Sequence, residues 1–480
     1  MLRRTKILAT LGPATDDPKV MDKLIAAGVD VVRINFSHGH ADEHRRRVEM
    51  VRDRARAHSR HIGVLMDLQG PKIRIERFKD GPITLVEGET FILDGACAPD
   101  AGNHERVGIA YKSLPDDVKR GDTLLLDDGR IVLWVEDVHV QEVRCKVTVG
   151  GALSDRKGIN LQGGGLSAPA LTEKDRADIK IAAELEADYL AISFPRTPED
   201  VIEARELLQK AGGRAGIVSK IERAEALHCI DGIIDQSDAI MIARGDLGVE
   251  IGDAELPAVQ KELIRLARTK NRVVITATQM MESMIYNPIP TRAEVFDVAN
   301  AVLDGTDAVM LSAETAAGKY PDTAVAAMDR ICREAEKQRI ARVSDHRINS
   351  AFERIDEAIA MAAMYTANHL GVKAIAALTE SGASALWMSR ISSGRPIYAL
   401  SSHVDTQRRV TMYRGVYPIS FSPETMDHHK VNKDAVDELV RRGAVRDGDL
   451  VIITKGDLVG VRGGANAMKV VRVGELAAVD

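Results

Sequence analysis

The chain has 480 residues, of which 45% are hydrophobic, and its formal net charge at pH 7 is −6. This length predicts about three domains with room for buried cores, and the acidic balance argues against nucleic acid as the main partner. No apolar run reaches the length of a membrane span, and the four cysteines lack paired spacing, as is typical of reduced thiols in a cytoplasmic protein.

Eight short runs of β-branched and aliphatic residues alternate with segments of helical periodicity, and this alternation predicts a (β/α)8 (TIM) barrel. In such a barrel the chemistry lies where the strands end and the loops begin. Polar side chains occur at those ends in this sequence, among them Thr10, Ser193 and Ser312. The predicted strands span residues 6–10, 29–35, 62–67, 189–194, 215–220, 239–243, 273–278 and 308–312.

The spacing of the predicted strands breaks once, between residues 67 and 189, where the chain is far too long for a loop and one helix. This stretch contains strand-like runs separated by turn sequences such as Asp127-Asp128-Gly129. We therefore predict a small β-barrel domain over residues 71–169, inserted into the larger barrel. Gly70-Pro71 and Ala168-Pro169-Ala170 would be its hinge-compatible linkers.

After the eighth strand, a predicted helix over residues 322–337 leads into a charged, irregular stretch over residues 339–349. Helix and strand patterns alternate again beyond it and predict a smaller α/β unit. The predicted domains are the barrel (1–70 and 170–345), the inserted domain (71–169) and a C-terminal α/β domain (346–480).

Lys220, Glu222 and Asp246 are the residues most informative about function, because they lie at or just beyond the ends of neighbouring predicted strands. A lysine and two carboxylates in such positions can hold a divalent cation and an anionic substrate together. This arrangement indicates phosphate or enolate chemistry. Taken alone, however, the lysine could be a structural charge and the carboxylates could be helix N-caps.

Seven segments together resemble the motifs of the pyruvate kinase family, in that family's order and over essentially the whole chain. They are RINFSHG (33–39), DLQGPKIR (67–74), KGIN (157–160), SKIE (219–222), ARGDLG (243–248), ATQMMESM (277–284) and LSAET (311–315). The resemblance implies the same three-domain plan that the spacing predicts. It also implies transfer of the phosphoryl group of phosphoenolpyruvate to ADP, which gives pyruvate and ATP in the final step of glycolysis.

By this resemblance, Glu222 and Asp246 would bind Mg2+ or Mn2+, and Lys220 would stabilise the negative charge of the transition state. Arg33 would bind the phosphate, and Thr278 would position a water or proton relay. The implied substrate-binding residues are Arg33, Lys220, Ala243, Arg244, Gly245 and Thr278. Backbone N–H groups in residues 243–245 would face the substrate carboxylate. The implied nucleotide-binding residues are Asn35, Ser37, His38, Arg74 and Lys157.

The chain departs from the commoner family pattern at a site for a monovalent cation. The remnant of the family's cation pocket consists of Asn35, Ser37, Asp67 and Leu68. Lys72 stands where many members have a glutamate, and we expect its ammonium near the vacant cation position. The resemblance is therefore to the bacterial members that do not require K+.

Residues 379–384 follow a predicted strand and open a predicted helix, a pattern typical of a helix cap or of an anion-binding nest. Their position matches the family's loop for phosphorylated effectors, and the candidate ligands are Thr379, Ser381, Gly382 and Ser384. Ala383 replaces a basic residue of many members, which favours a monophosphate over a bisphosphate. The family also implies a homotetramer.

Two other classes of function stay open on sequence alone. A Mg2+-dependent lyase that forms an enolate without a nucleotide would use the same lysine and carboxylates, but Arg74 and Lys157 argue against it. A non-catalytic metabolite-binding protein is disfavoured, because no motif residue of the catalytic set is missing. Turnover that depends on ADP would exclude the lyase, and formation of pyruvate would exclude the binding protein.

Overall fold

The chain opens with three strands of a parallel barrel and the two helices that connect them. The computed structural model describes residues 2–341, 351–422, 428–457 and 464–475, so the predicted boundary at 345/346 lies outside the described residues. These first elements are β1 (Lys6–Thr10), α1 (Pro18–Ala27), β2 (Val31–Asn35), α2 (Ala41–Ala57) and β3 (Gly63–Asp67), with a 3-10 turn over Pro13–Thr15. Asp17 caps α1 by accepting the Lys19 N–H, and Pro18 is its first residue, so the chain turns sharply from strand to helix.

The inserted domain follows β3 and consists of eight strands in two sheets, one of two strands (β10-β4) and one of six (β11-β7-β8-β9-β5-β6). Its elements are β4 (Ile83–Leu85), β5 (Thr90–Asp94), β6 (Arg106–Gly108), α3 (Leu114–Asp117), β7 (Thr123–Leu126), β8 (Ile131–His139), β9 (Glu142–Val149), β10 (Gly151–Leu153) and β11 (Ile159–Leu161). The predicted turn at 127–129 joins β7 to β8.

The segment 73–76 joins the two edges of the six-stranded sheet. Ile75 N–H donates to the Lys157 carbonyl at 2.9 Å beside β11, and Glu76 N–H donates to the Gly108 carbonyl at 2.7 Å in β6. These bonds close the sheet around its own apolar core, in which Phe91 is completely buried. The inserted domain is therefore the small β-barrel that was predicted.

The remaining five strands complete the large barrel, whose closed order is β1-β16-β15-β14-β13-β12-β3-β2 with parallel pairing throughout. They are β12 (Tyr189–Ile192), β13 (Gly216–Ile221), β14 (Ala239–Ala243), β15 (Val273–Ala277) and β16 (Ala308–Leu311). The helices around them are α4 (Glu173–Glu184), α5 (Pro198–Lys210), α6 (Ala224–His228), α7 (Ile230–Gln236), α8 (Arg244–Ile251), α9 (Leu256–Thr269), α10 (Arg292–Asp304), α11 (Ala313–Ala316) and α12 (Pro321–Ala335), with 3-10 turns over Glu282–Ile285 and Arg339–Ala341.

Alternate residues of each barrel strand serve two apolar cores. Ile7 and Ala9 of β1 pack in the layer between strands and helices, whereas Leu8 faces the interior of the barrel, as the two-residue period of a strand requires. The interior core continues into the C-terminal domain, where it includes Val410 and Ile452. That domain therefore covers the N-terminal end of the barrel and leaves the C-terminal end to the functional side chains.

The C-terminal domain is built on a five-stranded sheet of order β19-β18-β17-β20-β21, in which β21 alone of these five runs antiparallel. Its elements are α13 (Ile355–Leu370), β17 (Ala374–Leu378), α14 (Ala383–Ser389), β18 (Ile397–Ser401), α15 (Val404–Arg409), a 3-10 turn over Val410–Met412, β19 (Val416–Ser420), α16 (His428–Arg441), β20 (Leu450–Gly456) and β21 (Ala465–Arg472). Arg390 and Asp307 form an ion pair with side chains 1% and 2% exposed, which fixes this domain to the barrel. Among the described helices, none is long and apolar enough to cross a bilayer.

Candidate active site

Lys220 lies near the end of β13, at the C-terminal mouth of the barrel, and its ammonium contacts three acceptors. Nζ lies 2.9 Å from Glu222 Oε1 and 3.5 Å from Asp67 Oδ1, and it donates to Ser193 Oγ at 2.7 Å. Burial alone would lower the pKa of Lys220, but the two carboxylates outweigh burial and hold that pKa above its ordinary value. The site therefore contains a fixed positive charge that is only 12% exposed.

Asp67, the last residue of β3, connects Lys220 to Arg33 on β2. Arg33 Nε donates to Asp67 Oδ2 at 2.6 Å, and Nη1 donates to Thr10 Oγ1 at 3.1 Å. The Asp67 side chain is completely buried, and the two cations on either side of it compensate its charge. The guanidinium is thereby held in one orientation, and its remaining N–H groups can bind an anion.

Glu222 follows β13 and is buried beside Lys220, with a side chain that is 2% exposed. Burial raises the pKa of Glu222 above its ordinary value, although the Lys220 ammonium opposes this effect. Phe194 N–H donates to Glu222 Oε2 at 2.9 Å. Phe194 has φ +56°, a left-handed conformation that is strained for a bulky residue. A strained turn after β12 thus orients this carboxylate.

Asp246 lies in the first turn of α8, and Lys72 binds it. Lys72 Nζ is 2.9 Å from Asp246 Oδ1, and the two side chains are 27% and 20% exposed. This position differs from the expected one. No hydrogen bond or ion pair joins the Lys72 side chain to the remnant pocket of Asn35, Ser37, Asp67 and Leu68, all of which lie in described ranges. The ammonium prefers Asp246 here because the charge of Asp67 is already compensated by Arg33 and Lys220.

Helix α8 begins at Arg244, so residues 243–245 stand at its N-terminus. Gly245 N–H points at Thr278 and donates to its Oγ1 at 2.9 Å. Arg244 turns away from the mouth of the barrel, donating to the Thr278 carbonyl at 2.7 Å and to Asp297 Oδ1 at 2.7 Å. Thr278 has φ +64° and Gln279 has φ +54°. The Arg244 side chain therefore supports a strained dipeptide next to the N–H groups that begin α8.

An open cleft of about 510 Å³ extends from Arg33 past Asn35 and His38 to the first turns of α2. Apolar residues from the 3-10 turn after β1 and from α11, such as Pro13 and Ala316, also line the cleft. Ser37 N–H donates to Asn35 Oδ1 at 3.0 Å, a local bond that orders the turn after β2. The structure thus brings Asn35 and His38 together with Arg33 around one cleft.

Arg74 and Lys157, the other predicted nucleotide residues, belong to the inserted domain. Lys157 Nζ lies 2.7 Å from Asp127 Oδ1, and Arg74 Nη1 donates to the Arg156 carbonyl at 2.8 Å. Within the described ranges, neither side chain forms a hydrogen bond or ion pair with the barrel. In this arrangement both cations are thus bonded within the inserted domain.

The predicted effector residues lie in the C-terminal domain, in the loop between β17 and α14. Gly382 N–H donates to Thr379 Oγ1 at 2.9 Å, and Ser384 lies in the first turn of α14 and is buried. Glu380 in the same loop pairs with His403 at 2.7 Å. The loop therefore bonds within itself and to the neighbouring His403, while no side chain of the described residues caps the start of α14 through a hydrogen bond.

The donor set at the barrel mouth fits a divalent cation. No three His, Cys, Asp or Glu side chains form a ready-made metal site in the described part of the chain, but Mg2+ needs only one or two carboxylates when substrate oxygens and water complete its shell. Glu222 and Asp246 provide such carboxylates, and Asp67 Oδ1 is buried without a hydrogen bond from the described residues. Residues 222 and 246 could hold Mg2+ or Mn2+ once Lys72 leaves Asp246.

Sequence reasoning missed two supporting residues of the site. Ser193 was noted only as a polar strand end, yet it accepts a hydrogen bond from Lys220 and donates to the Leu68 carbonyl at 2.8 Å. Asp297 was not noted at all, because it lies on α10, far along the chain from Arg244. A run of polar strand ends signals such a site, but only the fold shows which of them meet.

Comparison with known proteins shows the family of the chain. Residues 2–325 match the family model for the pyruvate kinase barrel domain, and residues 357–471 match the model for the pyruvate kinase alpha/beta domain. These two models together cover most of the chain.

Similar curated proteins align over nearly the full length. Pyruvate kinase II of Salmonella typhimurium is 56% identical over 476 residues, covering 98% of this chain and 99% of the relative. Pyruvate kinase of Haemophilus influenzae is 56% identical over 459 residues, covering 95% and 96%. Pyruvate kinase of Sporosarcina psychrophila is 42% identical over 481 residues, covering 99% and 82%. With both family models and these relatives in agreement on a phosphotransferase, the chain belongs to the pyruvate kinase family.

Proposed function

We propose that this enzyme transfers the phosphoryl group of phosphoenolpyruvate to ADP and releases pyruvate and ATP, as the final step of glycolysis. The observation that carries the proposal is the cluster of Lys220, Arg33 and Glu222 around the buried Asp67 at the barrel mouth. It combines two cations for a phosphoryl group with an oxygen ligand for a divalent metal. The scattered free cysteines fit the cytoplasm as its location.

Lys220 and Arg33 would bind the reacting groups. The Lys220 ammonium, held by Ser193 and two carboxylates, supplies a point charge where negative charge develops on the phosphoryl and enolate oxygens. Arg33 presents its free N–H groups to the phosphate with an orientation fixed by Asp67. Because both cations are held in place before substrate arrives, little reorganisation is needed at the moment of transfer.

Glu222 and Asp246 would hold Mg2+ or Mn2+, which when bound supplies Lewis-acid stabilisation to the substrate oxygens. The N–H groups of residues 243–245 at the start of α8 would bind the substrate carboxylate, with the Thr278 hydroxyl beside them. Thr278 would also orient the water or relay that protonates the enolate, since a threonine hydroxyl is too weak an acid to act alone. Arg244 contributes by holding the strained Thr278 backbone.

ADP would occupy the cleft beside Arg33, with Asn35 and His38 along it and Ser37 in the turn between these two residues. Arg74 and Lys157 would reach its phosphates when the inserted domain, with limits 71–169, closes over the barrel and excludes water. The ion pair of Lys157 with Asp127 would exchange for one with phosphate. Lys72 would make K+ unnecessary by supplying a tethered positive charge near the nucleotide phosphates.

The enzyme would form the homotetramer of its family and would be regulated by a phosphorylated metabolite. Tyr286, Ile289 and Phe296 are close together in the barrel sequence and are 69%, 72% and 75% exposed, and exposed large apolar groups are typical of a subunit interface. For regulation, the loop of Thr379, Ser381, Gly382 and Ser384 would release its internal hydrogen bond between Gly382 and Thr379 to bind a phosphorylated metabolite. The buried contact between the C-terminal domain (346–480) and the barrel would transmit the change.

The deciding experiment measures ATP formation from phosphoenolpyruvate and ADP, with and without Mg2+. We expect turnover that requires both ADP and the metal; pyruvate release without ADP would instead favour a lyase. Glu222→Gln and Asp246→Asn should each raise the Mg2+ concentration needed for half-maximal rate by roughly tenfold or more, because each replaces an anionic ligand by a neutral one. Unchanged Mg2+ dependence in both variants would place the metal elsewhere.

A further inference from the structure

The inserted domain rests on helix α8 through the segment that returns from it to the barrel. Gly163 N–H donates to the Glu250 carbonyl at 3.0 Å, and the Asn160 side-chain amide donates to Glu250 Oε1 at 3.4 Å. Arg223, just after β13, donates from Nη1 to the Leu166 carbonyl at 2.7 Å. One residue of the barrel, Glu250, thus accepts hydrogen bonds from the inserted domain with both its backbone and its side chain.

The Glu250 carboxylate is buried among groups that compensate it poorly. Its Oε2 accepts the Ala224 N–H at 2.9 Å, and the residue is only 5% exposed. The charged groups that face it are Arg223 and Glu225 from the turn after β13 and the start of α6. Glu225 Oε1 accepts the Gly165 N–H, while its Oε2 has no hydrogen-bond partner among the residues that the structure describes. Burial raises the pKa of Glu250 to about 7, against an ordinary value of 4.5.

Glu250 and Asp246 lie one turn apart on the same helix, α8 (Arg244–Ile251). A small crevice lined by Lys72, Asn160, Arg223, Asp246 and Glu250 separates the inserted domain from the barrel at this point. The helix that carries the proposed metal ligand at its start therefore carries the docking point for the inserted domain near its end. Movement at one end of so short a helix displaces the other.

We propose that Glu250 is a positioning residue for the phosphoryl transfer, which docks the inserted domain onto α8 and does so more firmly when its carboxylate is protonated. The kinetic part of this inference rests on the proposed function, because it assumes that Arg74 and Lys157 bind the ADP phosphates. The docking part depends only on the contacts of Asn160, Gly163 and Glu250.

The pH dependence of docking follows from linkage between the two arrangements. In the docked arrangement the pKa of Glu250 is about 7, and in the undocked one Glu250 loses the contact with Asn160 and meets water, so its pKa falls towards the ordinary value of 4.5. Protonation of Glu250 therefore stabilises the docked arrangement fully below about pH 4.5, and this stabilisation is lost as the pH rises through about 7. The docking equilibrium should change by up to roughly 30-fold between about pH 8 and about pH 5.5.

The native cysteines allow docking to be measured without turnover. Cys97 in the inserted domain is partly accessible and Cys229 on the barrel is exposed, whereas Cys145 and Cys332 are buried. Spin labels on Cys97 and Cys229, in labelled protein diluted into unlabelled protein, report the distance between the two domains. We expect a narrow distribution at about pH 5.5 and a broader one at about pH 8 in the wild type. Glu250→Gln, which mimics the protonated acid, should give a narrow distribution at both.

A wild-type distribution that does not change with pH, or a Glu250→Gln variant that keeps the wild-type pH response, would overturn the proposal. Glu255→Gln is the matched control, because Glu255 is exposed on the turn beyond α8. It should respond to pH as the wild type does. Since no substrate is present, this measurement stands whether or not the enzyme uses phosphoenolpyruvate and ADP.

Kinetics then test the positioning role. Glu250→Ala should raise KM for ADP roughly fivefold to tenfold, because the inserted domain, which carries Arg74 and Lys157, would then have to close over the barrel without its anchor on α8, and should change KM for phosphoenolpyruvate less than about twofold. Glu250→Gln should keep KM for ADP near its wild-type value. Equal losses for both substrates, or no rescue by glutamine, would show a merely structural role. A total lack of pyruvate kinase activity in the wild type would refute the proposed function and leave the docking result intact.

Discussion

At the scale of single residues, Lys72 binds the carboxylate of Asp246, for which a metal ion would compete. Its ammonium is bonded to Asp246, so the proposed metal ligand is neutralised before any cation arrives. Binding of a divalent cation would have to displace this ammonium, and the displaced charge would then be free for the nucleotide phosphates. The sequence identified Lys72 as a substitute cation, but it could not reveal which carboxylate the flexible side chain prefers.

We predict that Lys72→Met tightens binding of Mn2+ in the absence of substrates by roughly tenfold, or about 1.4 kcal/mol, because Asp246 loses its competing partner. Titration of bound Mn2+ by electron paramagnetic resonance measures this directly. Lys79→Met is the control, since Lys79 is an exposed lysine of the same domain. Equal affinity in wild type and Lys72→Met would mean that Asp246 is not the metal ligand.

Lys72 also leads to a prediction about K+. Activity of the wild type in a buffer free of K+ and Na+ should match activity with K+, because a divalent cation would displace the Lys72 ammonium from Asp246 towards the nucleotide phosphates. A K+ ion about 4 Å from that ammonium would be repelled by roughly 4 kcal/mol at an effective dielectric near 20. Lys72→Glu should create a requirement for K+. A large stimulation of the wild-type rate by K+ would contradict this expectation.

Lys220→Met should lower kcat by roughly a thousandfold or more while phosphoenolpyruvate binding, measured by protection or calorimetry, changes little. The reason is that the buried ammonium acts mainly on charge that develops in the transition state. Lys261→Met, at an exposed lysine of α9, should leave kcat unchanged. A Lys220→Met enzyme with near wild-type kcat would remove Lys220 from the mechanism.

At the scale of secondary-structure elements, the barrel strands were predictable and several strands of the inserted domain were not. A buried parallel strand such as β15 has only apolar and threonine side chains over its length, and turn sequences do not interrupt it. Three-residue strands such as β6 and β10 are too short for a period of two to be read. Their pairing is decided by partners distant in sequence, such as Arg106 with Ile92.

The elements that join the barrel to the C-terminal domain depend on a buried ion pair. Arg390, just after α14, donates to Asp307 and to the Arg272 carbonyl at 2.7 Å. Arg390→Met should destabilise the protein by roughly 3–5 kcal/mol, because it leaves a buried carboxylate without its counter-charge. Thermal unfolding followed by calorimetry should show a clear drop in Tm, whereas Arg446→Met at an exposed position should shift it little. Equal melting curves would mean that Asp307 is compensated by other groups.

At the scale of the whole molecule, the order of domains was predictable because a single gap in the strand spacing revealed the insertion. The relative placement of the domains was not. Contacts such as Asn160 with Glu250 and Tyr189 with Arg409 join residues far apart in sequence, and neither partner carries a local signal. The structure distributes the predicted functional residues among barrel, inserted domain and C-terminal domain, and the bonds between those domains emerged only from the fold.

Regulation is also a property of the whole molecule. If the loop 379–384 binds a monophosphate such as AMP or a sugar monophosphate, that ligand should shift the phosphoenolpyruvate saturation curve, because binding must favour one arrangement of the C-terminal domain against the barrel. The shift should be abolished in Ser381→Asp, whose carboxylate repels phosphate. A wild-type curve that no phosphorylated metabolite moves, or a shift that survives in Ser381→Asp, would leave this loop as a helix cap.

The closure of the small β-barrel by segment 73–76 has a consequence for how the molecule can change over evolution. The domain begins and ends at adjacent positions, since Ile159 N–H donates to the Ile73 carbonyl at 2.9 Å. Gly70 precedes the inserted domain and Asp175 of α4 follows it. The Gly70 N–H donates to Asp175 Oδ1 at 3.0 Å. The inserted domain therefore occupies the place of a single loop of the large barrel, because its two ends lie next to each other. Such a module can be lost, lengthened or exchanged between proteins without moving a single strand of the barrel that hosts it.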